Sequence, residues 1–483
     1  MSLAQVLDPR DDDATTVAVY TTTEEITRAE LRARAETLAG ALRDAGLRRG
    51  QAVGVMLPNG ADIVAALFGV WFAGGVYVPL NPRLSAGELA HVIAEDRPAA
   101  IVTRPEDAPR IRDAGVPALV APGDGRWQGT DALDVDAPTL GPEVAAISFT
   151  SGTTGRPKPV PLLHDNVLGL IDGVLSKLRG GEKREPRAAP MPNLIPTSLS
   201  LWAGIYNVIF AFRAGAAVII MERFDTRAFA AFVERFQLRS TVLPPAAMTM
   251  LVDDESITSL APMKYVRSIT APLSPLQARR FRDRFGITVL NGWGQTEIGG
   301  EVVGWSAQDA KEFGDTHLGA VGRPHENVRL RISDIGEILV RTPMIDERVA
   351  AGDEFDGRLE DGWFGTGDLG RIDAEGLLWI EGRVSDMINR GGLKVFPDEV
   401  EERIRALPGV TDVAVAGVPD ERLGEVPWAF VVGTADLAAL QAWCRETLAA
   451  YKVPVGCTVV AELPRNEMGK VLRQDLVHLV TTV

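Results

Sequence analysis

Between Thr150 and Thr154 four hydroxyl side chains (Thr150, Ser151, Thr153 and Thr154) surround Gly152, and Gly155 and Lys158 follow within a few residues. Glycines let the backbone turn its N–H groups towards a ligand, hydroxyls donate, and an ammonium adds positive charge, a combination suited to a polyphosphate. No Gly-Lys-Ser/Thr opens a following helix, so this is not the P-loop pattern. On these residues alone, a surface turn rich in Ser, Thr and Gly reads equally well. Four more clusters follow along the chain. Gly292-Trp293-Gly294-Gln295-Thr296-Glu297 sets an aromatic between glycines, then a hydroxyl and a carboxylate. An aromatic face can stack on a purine, and a carboxylate can hold Mg²⁺. Thr366-Gly367-Asp368 offers a lone carboxylate, a suitable acceptor for two ribose hydroxyls. Gly382-Arg383 to Lys394, with Gly391-Gly392 between, marks a turn-rich junction, and Pro464 to Lys470 leaves a lysine on a glycine turn near the C-terminus. Each cluster by itself is as consistent with an ordinary turn.

The elements that would position these residues alternate from the start. Thr27 caps a helix running towards Ala45, with Glu30 completing a capping box, and Ala52 to Leu57 reads as a strand. Helix Ala61 to Ala73, strand Val76 to Pro79, helix Ala86 to Asp96 and strand Ala99 to Thr103 continue the rhythm, which implies parallel sheet covered by helices. Val144 to Ile147 is a short buried strand leading into the hydroxyl-rich stretch. Beyond it come helices at Asn166 to Leu178, Leu199 to Phe212, Thr226 to Phe236 and Pro275 to Phe285, with strands Ala216 to Met221 and Ser240 to Leu243. From Gly336 the texture turns to short strands, and past Arg383 a compact segment of strands and helices closes the chain.

Length and charge bound the class. The 483 residues suffice for two or three domains with sizeable cores. A formal charge of −15 argues against non-specific binding to nucleic acid or anionic membrane, and favours a cytoplasmic protein. Two cysteines, Cys444 and Cys457, make no disulfide framework and no cysteine zinc site. Ile63 to Leu80 is uncharged for about the length of a membrane span. Gly74-Gly75 interrupts it, so it reads as a buried helix followed by a buried strand.

In this order and at these separations, the clusters resemble the acyl-adenylate-forming superfamily, which includes acyl-CoA synthetases, adenylation domains of peptide synthetases and luciferases. The resemblance runs from Leu57-Pro58-Asn59 and Tyr77-Val78-Pro79-Leu80-Asn81-Pro82 through Gly336-Glu337 to Gly469-Lys470. It implies an α/β fold: a large N-terminal domain of parallel-type sheets covered by helices with a β-rich subdomain, residues 1–383, and a small mobile α+β lid, residues 384–483, hinged near Ser385. It also implies one ATP site assembled from both domains. Thr150 to Lys158 would handle the β- and γ-phosphates, Trp293 would stack on adenine beside Gly294, Gln295, Ala271 and Pro272, and Asp368 and Arg383 would bind the ribose. Thr296 would touch the α-phosphate, Glu297 would ligate Mg²⁺, and Lys470 resembles the mobile catalytic lysine that bridges the substrate carboxylate and the α-phosphate. Gly391-Gly392-Leu393-Lys394 is most similar to the acyl-CoA ligase version of the junction, where small residues leave room for a pantetheine arm.

Four departures from the family pattern matter. Ser385 replaces the usual Asp or Lys at the hinge, and Pro159 replaces the glycine after the loop lysine. Pro190-Met191-Pro192-Asn193 lacks the usual pocket histidine, and Ile269-Thr270 stands where relatives often have Gly-Gly. Asn193, Ile269 and Thr270 are therefore expected to shape a pocket for a small or unusual acid. The acceptor expected is CoA. A carrier protein, an amine or nitrite activated for diazo formation stays open, as does a non-catalytic nucleotide-binding relative. The residues give no oligomeric state.

Overall fold

The computed structural model describes residues 2–9, 14–120, 127–129, 133–134, 136–151, 157–178, 190–345, 355–465 and 471–481. They form two compact units. The first comprises Met1–Arg267, Phe285–Ile287 and Gly294–Gly300, and the second Ser268–Arg284, Thr288–Trp293 and Glu301–Val483.

The first unit is built on a seven-stranded sheet. Its middle strands are β1 (Ala52–Met56), β2 (Val76–Pro79), β3 (Ala100–Thr103) and β4 (Val144–Ser151), and its edge is β5 (Pro157–Leu163). The order is 128–129, 118–120, β3, β1, β2, β4, β5, parallel except at the two ends. Strands β1, β2 and β3 are short, mostly apolar runs buried along their length, as a sheet covered on both faces requires. Helix α1 (Arg28–Asp44) begins at the expected capping box, in which Thr27 accepts from the Glu30 N–H and Glu30 accepts from the Thr27 N–H. It packs on α2 (Ala61–Phe72), which is buried almost all round. The contact is close at Gly69, where a Cβ would lie 2.9 Å from the Ala35 carbonyl oxygen and from Leu38 Cβ. A small residue is needed there because two helix backbones meet. Helix α3 (Ala86–Asp96) covers the opposite side of β1 and β2, with Leu89 and Val92 in its apolar cluster. The uncharged stretch from Ile63 to Leu80 is thus a core helix and a core strand, and no helix among the described residues is long and apolar enough to cross a membrane.

A four-stranded sheet in the same unit orders 193–195, 218–220, 17–20 and 25–27, and α5 (Trp202–Ala214) lies against it. Helix α4 (His164–Leu178) follows the β4–β5 hairpin directly.

The second unit combines a meander of antiparallel strands with a smaller α+β region. In the meander β6 (Glu337–Arg341), β7 (Trp363–Ile372) and β8 (Leu378–Arg383) are neighbours, flanked by 329–332 on one side and by 320–324 and 300–304 on the other. Helix α6 (Pro275–Phe285) belongs to this unit up to Arg284. Beyond Arg383 come α7 (Pro397–Arg405), β9 (Val410–Asp420), β10 (Gly424–Gly433) and α8 (Arg473–Thr481). Strands β9 and β10 pair through ten residue pairs, and Val413, Val415, Ala429 and Val431 bury one face of them under α7.

Candidate active site

The hydroxyl-rich stretch begins on a strand. Strand β4 extends past the expected Ile147 to Ser151 and pairs antiparallel with β5, in register Phe149↔Pro159, Thr150↔Lys158 and Ser151↔Pro157. Because β4 runs parallel to β2, with Tyr77 opposite Ala146, its end points off the carboxyl edge of the sheet, where ligands of open α/β sheets bind. The base is pinned by Trp71 of α2, whose indole N–H donates to the Ala145 carbonyl at 2.8 Å. Pro157, Pro159 and Pro161 recur every second residue on β5. Proline cannot donate to a ladder, so this spacing suits an edge strand and discourages a further strand from adding. Gly152, Thr153, Thr154 and Gly155 lie outside the described residues, as do the side chains of Thr150, Ser151 and Lys158.

Thr296 and Glu297 occupy a 3-10 turn, Thr296–Ile298, closed by Gly299 in the left-handed region. Trp202 of α5 donates its indole N–H to the Gly299 carbonyl, which ties the turn to the first unit's core. Both side chains are half-buried. A single partly exposed carboxylate fits Mg²⁺, which keeps several waters and takes phosphate oxygens as its other ligands. Asn193 is less free than the sequence suggested: its amide faces Asn207 of α5, at 3.3 Å from the carbonyl oxygen and 3.4 Å from Oδ1.

In the second unit Trp293, Asp368 and Arg383 come together. Asp368 on β7 lies opposite Arg383 on β8, and its carboxylate accepts from Arg383 Nε through Oδ1 and from Trp293 Nε1 through Oδ2, both at 2.8 Å. Asp368 is 4% exposed, whereas more than a third of the Arg383 side chain meets solvent. The local chain is shaped to present this carboxylate. Gly367 turns through φ +71, its N–H donates to Glu337 Oε1 at 2.8 Å, and Thr366 Oγ1 both donates to the Ile338 carbonyl and accepts the Asp368 N–H. Glu337 was not among the expected site residues, although Gly336-Glu337 was part of the resemblance. The indole that the resemblance assigned to stacking thus also donates a hydrogen bond to the carboxylate assigned to the ribose.

The segment Ser268 to Leu273 is unusual in two ways. Thr270 adopts φ +70, a region where a β-branched residue is strained and glycine is not. Ser268 is 2% exposed, and its Oγ has no partner among the described residues. Ile269 and Ala271 are half-buried, and Pro272 is exposed.

At the junction, Gly391 (φ +59) and Gly392 (φ +91) form the two-residue tip of a hairpin between 388–390 and 393–395, the turn type in which both central residues need positive φ. Lys394 is exposed beside it. Arg390 is engaged within the unit, donating to the Tyr451 carbonyl at 2.6 Å. Ser385 sits in a 3-10 turn, Val384–Asp386, and donates its hydroxyl to Asp386 at 2.9 Å. Lys470 lies outside the described residues.

Comparison with known proteins gives these features a family. The AMP-binding enzyme model matches residues 8–346, and the AMP-binding enzyme C-terminal domain matches residues 399–470. A feruloyl-CoA synthase from Amycolatopsis sp is 30% identical over 470 residues, 93% of each chain. The ATP-bound crystal structure of MatB from Rhodopseudomonas palustris superposes with a TM-score of 0.84 at 27% identity, covering 99% of this chain and all of that one. The amide bond synthetase McbA from Marinactinospora thermotolerans superposes with a TM-score of 0.80 at 27% identity over 99% of both chains. The chain therefore belongs to the AMP-binding enzymes, the acyl-adenylate-forming superfamily.

Proposed function

We propose that the protein is an ATP-dependent ligase that joins a small or unusual carboxylic acid to CoA. The reading rests first on the near-full-length likeness to an acid–CoA ligase, and the Trp293–Asp368–Arg383 arrangement supports its nucleotide half. In the first step a carboxylate oxygen of the acid attacks the α-phosphorus of ATP. The bond from that phosphorus to the oxygen bridging the β-phosphate breaks, and pyrophosphate leaves. In the second step the CoA sulfur attacks the acyl carbon, the bond from that carbon to the AMP oxygen breaks, and AMP leaves while the thiol proton passes to solvent.

The first step brings two anions together, so positive charge and fixed dipoles decide its rate. Thr150 to Gly155 and Lys158 hold the β- and γ-phosphates, Trp293 with Gly294, Gln295, Ala271 and Pro272 takes the base, and Asp368 and Arg383 orient the ribose. Thr296 touches the α-phosphate, and Lys470 neutralises charge between the acid and that phosphate. Glu297 holds Mg²⁺, which supplies further charge neutralisation when bound. Gly391, Gly392 and Lys394 border the path of the pantetheine arm, and the junction at Ser385 is the pivot between a body of residues 1–383 and a lid of residues 384–483.

The bulk of Ile269 and Thr270 in place of two glycines favours a small acid. ATP–pyrophosphate exchange across acids from two carbons to eighteen, aromatic acids included, checks this: turnover concentrated on small acids is expected, and a clear preference for C12 to C18 acids would overturn it. A second reading, transfer of the acyl group to an amine, is favoured by the likeness to an amide bond synthetase. Product analysis with an amine present and CoA omitted separates the two.

A further inference from the structure

Strands β6 and β7 pair out of step beside the carboxylate of Asp368. Glu337 lies opposite Leu369 and Leu339 opposite Gly365, so Ile338 alone faces Thr366, Gly367 and Asp368. Such a bulge takes backbone N–H groups out of the ladder and re-aims the side chains it carries. Two side chains satisfy those groups here. The Gly367 N–H donates to Glu337 Oε1 at 2.8 Å, and the Asp368 N–H donates to Thr366 Oγ1 at 3.1 Å. Glu337 is itself fixed through its backbone: its N–H donates to Ser333 Oγ at 3.0 Å, and its carbonyl accepts the Ser333 N–H at 2.9 Å. Its carboxylate lies close against β7, since a Cβ on Gly365 would come within 2.9 Å of Oε1.

The bulge delivers Asp368 to its partners. Past it the strand returns to its ladders, with Asp368 opposite Arg383 on β8 and the Gly370 N–H donating to the Gly336 carbonyl at 2.9 Å. The Asp368 carboxylate meets Arg383 Nε and Trp293 Nε1 only while residues 366–368 keep this course. A charged acceptor makes the bond from the Gly367 N–H stronger than a neutral one would be. Without Glu337 that N–H loses its acceptor, and the cost of leaving it unpaired favours relaxation of the bulge. Asp368, the next residue, moves with it.

We propose that Glu337 is a positioning residue for the ribose of ATP: by holding the Gly367 N–H in the bulge, it sets where the Asp368 carboxylate stands. The proposal rests on the assignment of Asp368 to the ribose given above. Because Glu337 acts through Asp368, its loss weakens recognition of the ribose hydroxyls and leaves binding of the base and phosphates as it was. A merely structural role would weaken every nucleotide alike.

The test is calorimetric binding, with Mg²⁺ present, of ATP and of dideoxy-ATP, which lacks both ribose hydroxyls. The proteins are the wild type, E337A, E337D, E337Q, D368N and E337A/D368N. Hydrogen bonds to a charged group should make the wild type about 10- to 100-fold tighter for ATP than for dideoxy-ATP. E337A is expected to weaken ATP about 5- to 20-fold, a part of what those bonds supply, and dideoxy-ATP less than about twofold. E337Q, whose amide oxygen can accept the same N–H, restores most of the loss. In the D368N background E337A is almost without further effect. Wild-type ATP affinity in a folded E337A, equal losses for both nucleotides, or equal losses of ATP in the two backgrounds would overturn the proposal. If E337A fails to fold, E337D keeps the question decidable, since its carboxylate stops one methylene short of the Gly367 N–H; an unchanged preference for ATP in E337D then overturns the proposal. A wild type that binds the two nucleotides equally would instead overturn the assignment of Asp368 to the ribose, and the proposal with it.

Discussion

Thr270 allows a substitution whose effects on stability and on substrate range have separate causes. Its backbone sits at φ +70, where an L-residue costs about 1–2 kcal/mol, while the side chain is exposed and contributes little by packing. Thr270→Gly removes that cost but adds about 0.5–1 kcal/mol of backbone freedom to the unfolded chain. The net expectation is a gain of about 0.5–1 kcal/mol, seen as a rise of about 1–4 °C in the unfolding midpoint of a unit of this size. Thr270→Ala keeps a Cβ in the left-handed region, so it should gain almost nothing in stability. Both substitutions shorten the side chain, and both should extend ATP–pyrophosphate exchange towards longer acids, with glycine the more permissive. The assay is therefore paired: thermal unfolding of the three proteins, and exchange with the acid panel for each. If glycine lowers the midpoint, or if alanine and glycine stabilise equally, the argument from backbone strain is wrong. If neither substitution shifts the acid range, Thr270 does not shape the pocket.

Three further outcomes follow from other parts of the molecule. Asp368→Asn removes the charge from two hydrogen bonds of 2.8 Å, and since bonds to charged groups contribute about 1.5–3 kcal/mol, the KM for ATP should rise about 10- to 100-fold; an unchanged KM would remove Asp368 from the nucleotide site. Asp96 is 7% exposed with Oδ2 unpaired among the described residues, and burial, helped by Glu95, pushes its carboxyl up to about 7. A raised carboxyl in the folded state destabilises it progressively as pH rises from about 4 to about 7, so the stability of Asp96→Asn relative to wild type should improve by about 2–3 kcal/mol between pH 5 and pH 8 by denaturant unfolding; a pH-independent difference would contradict this. Gly69→Ala puts a methyl 2.9 Å from the Ala35 carbonyl, and the overpacking should exceed the helical preference of alanine and lower stability by about 1–2 kcal/mol in the same measurement.

The elements easiest to read in the sequence were those whose local chemistry and burial agree. The Thr27–Glu30 capping box, the strands of the parallel sheet and the uncharged Ile63 to Leu80 stretch all fold as their residues suggest, because each carries both its own end signals and a consistent apolar pattern. The strand partner of the hydroxyl-rich stretch was not legible. Pro157, Pro159 and Pro161 argue against a strand unless it lies on an edge, and being on an edge is a property of the sheet, not of the segment. The same holds for the site. The motifs singled out Trp293, Asp368 and Arg383 as candidates, but that they would meet was not legible, since their hydrogen bonds depend on two strands meeting in one register. The bulk at Thr270 was legible, whereas its positive φ was not, since threonine ordinarily avoids that region. Glu337 and Gly367 stand 30 residues apart in the chain, and only the pairing of two strands brings them together.

The measurement closest to the central claim is mass spectrometry of the products formed from a small-acid panel with ATP and Mg²⁺, with and without CoA. The proposed ligase gives AMP, pyrophosphate and an acyl-CoA thioester, with AMP formation strongly dependent on CoA. AMP formation indifferent to CoA, with no thioester from any acid that supports pyrophosphate release, would contradict it.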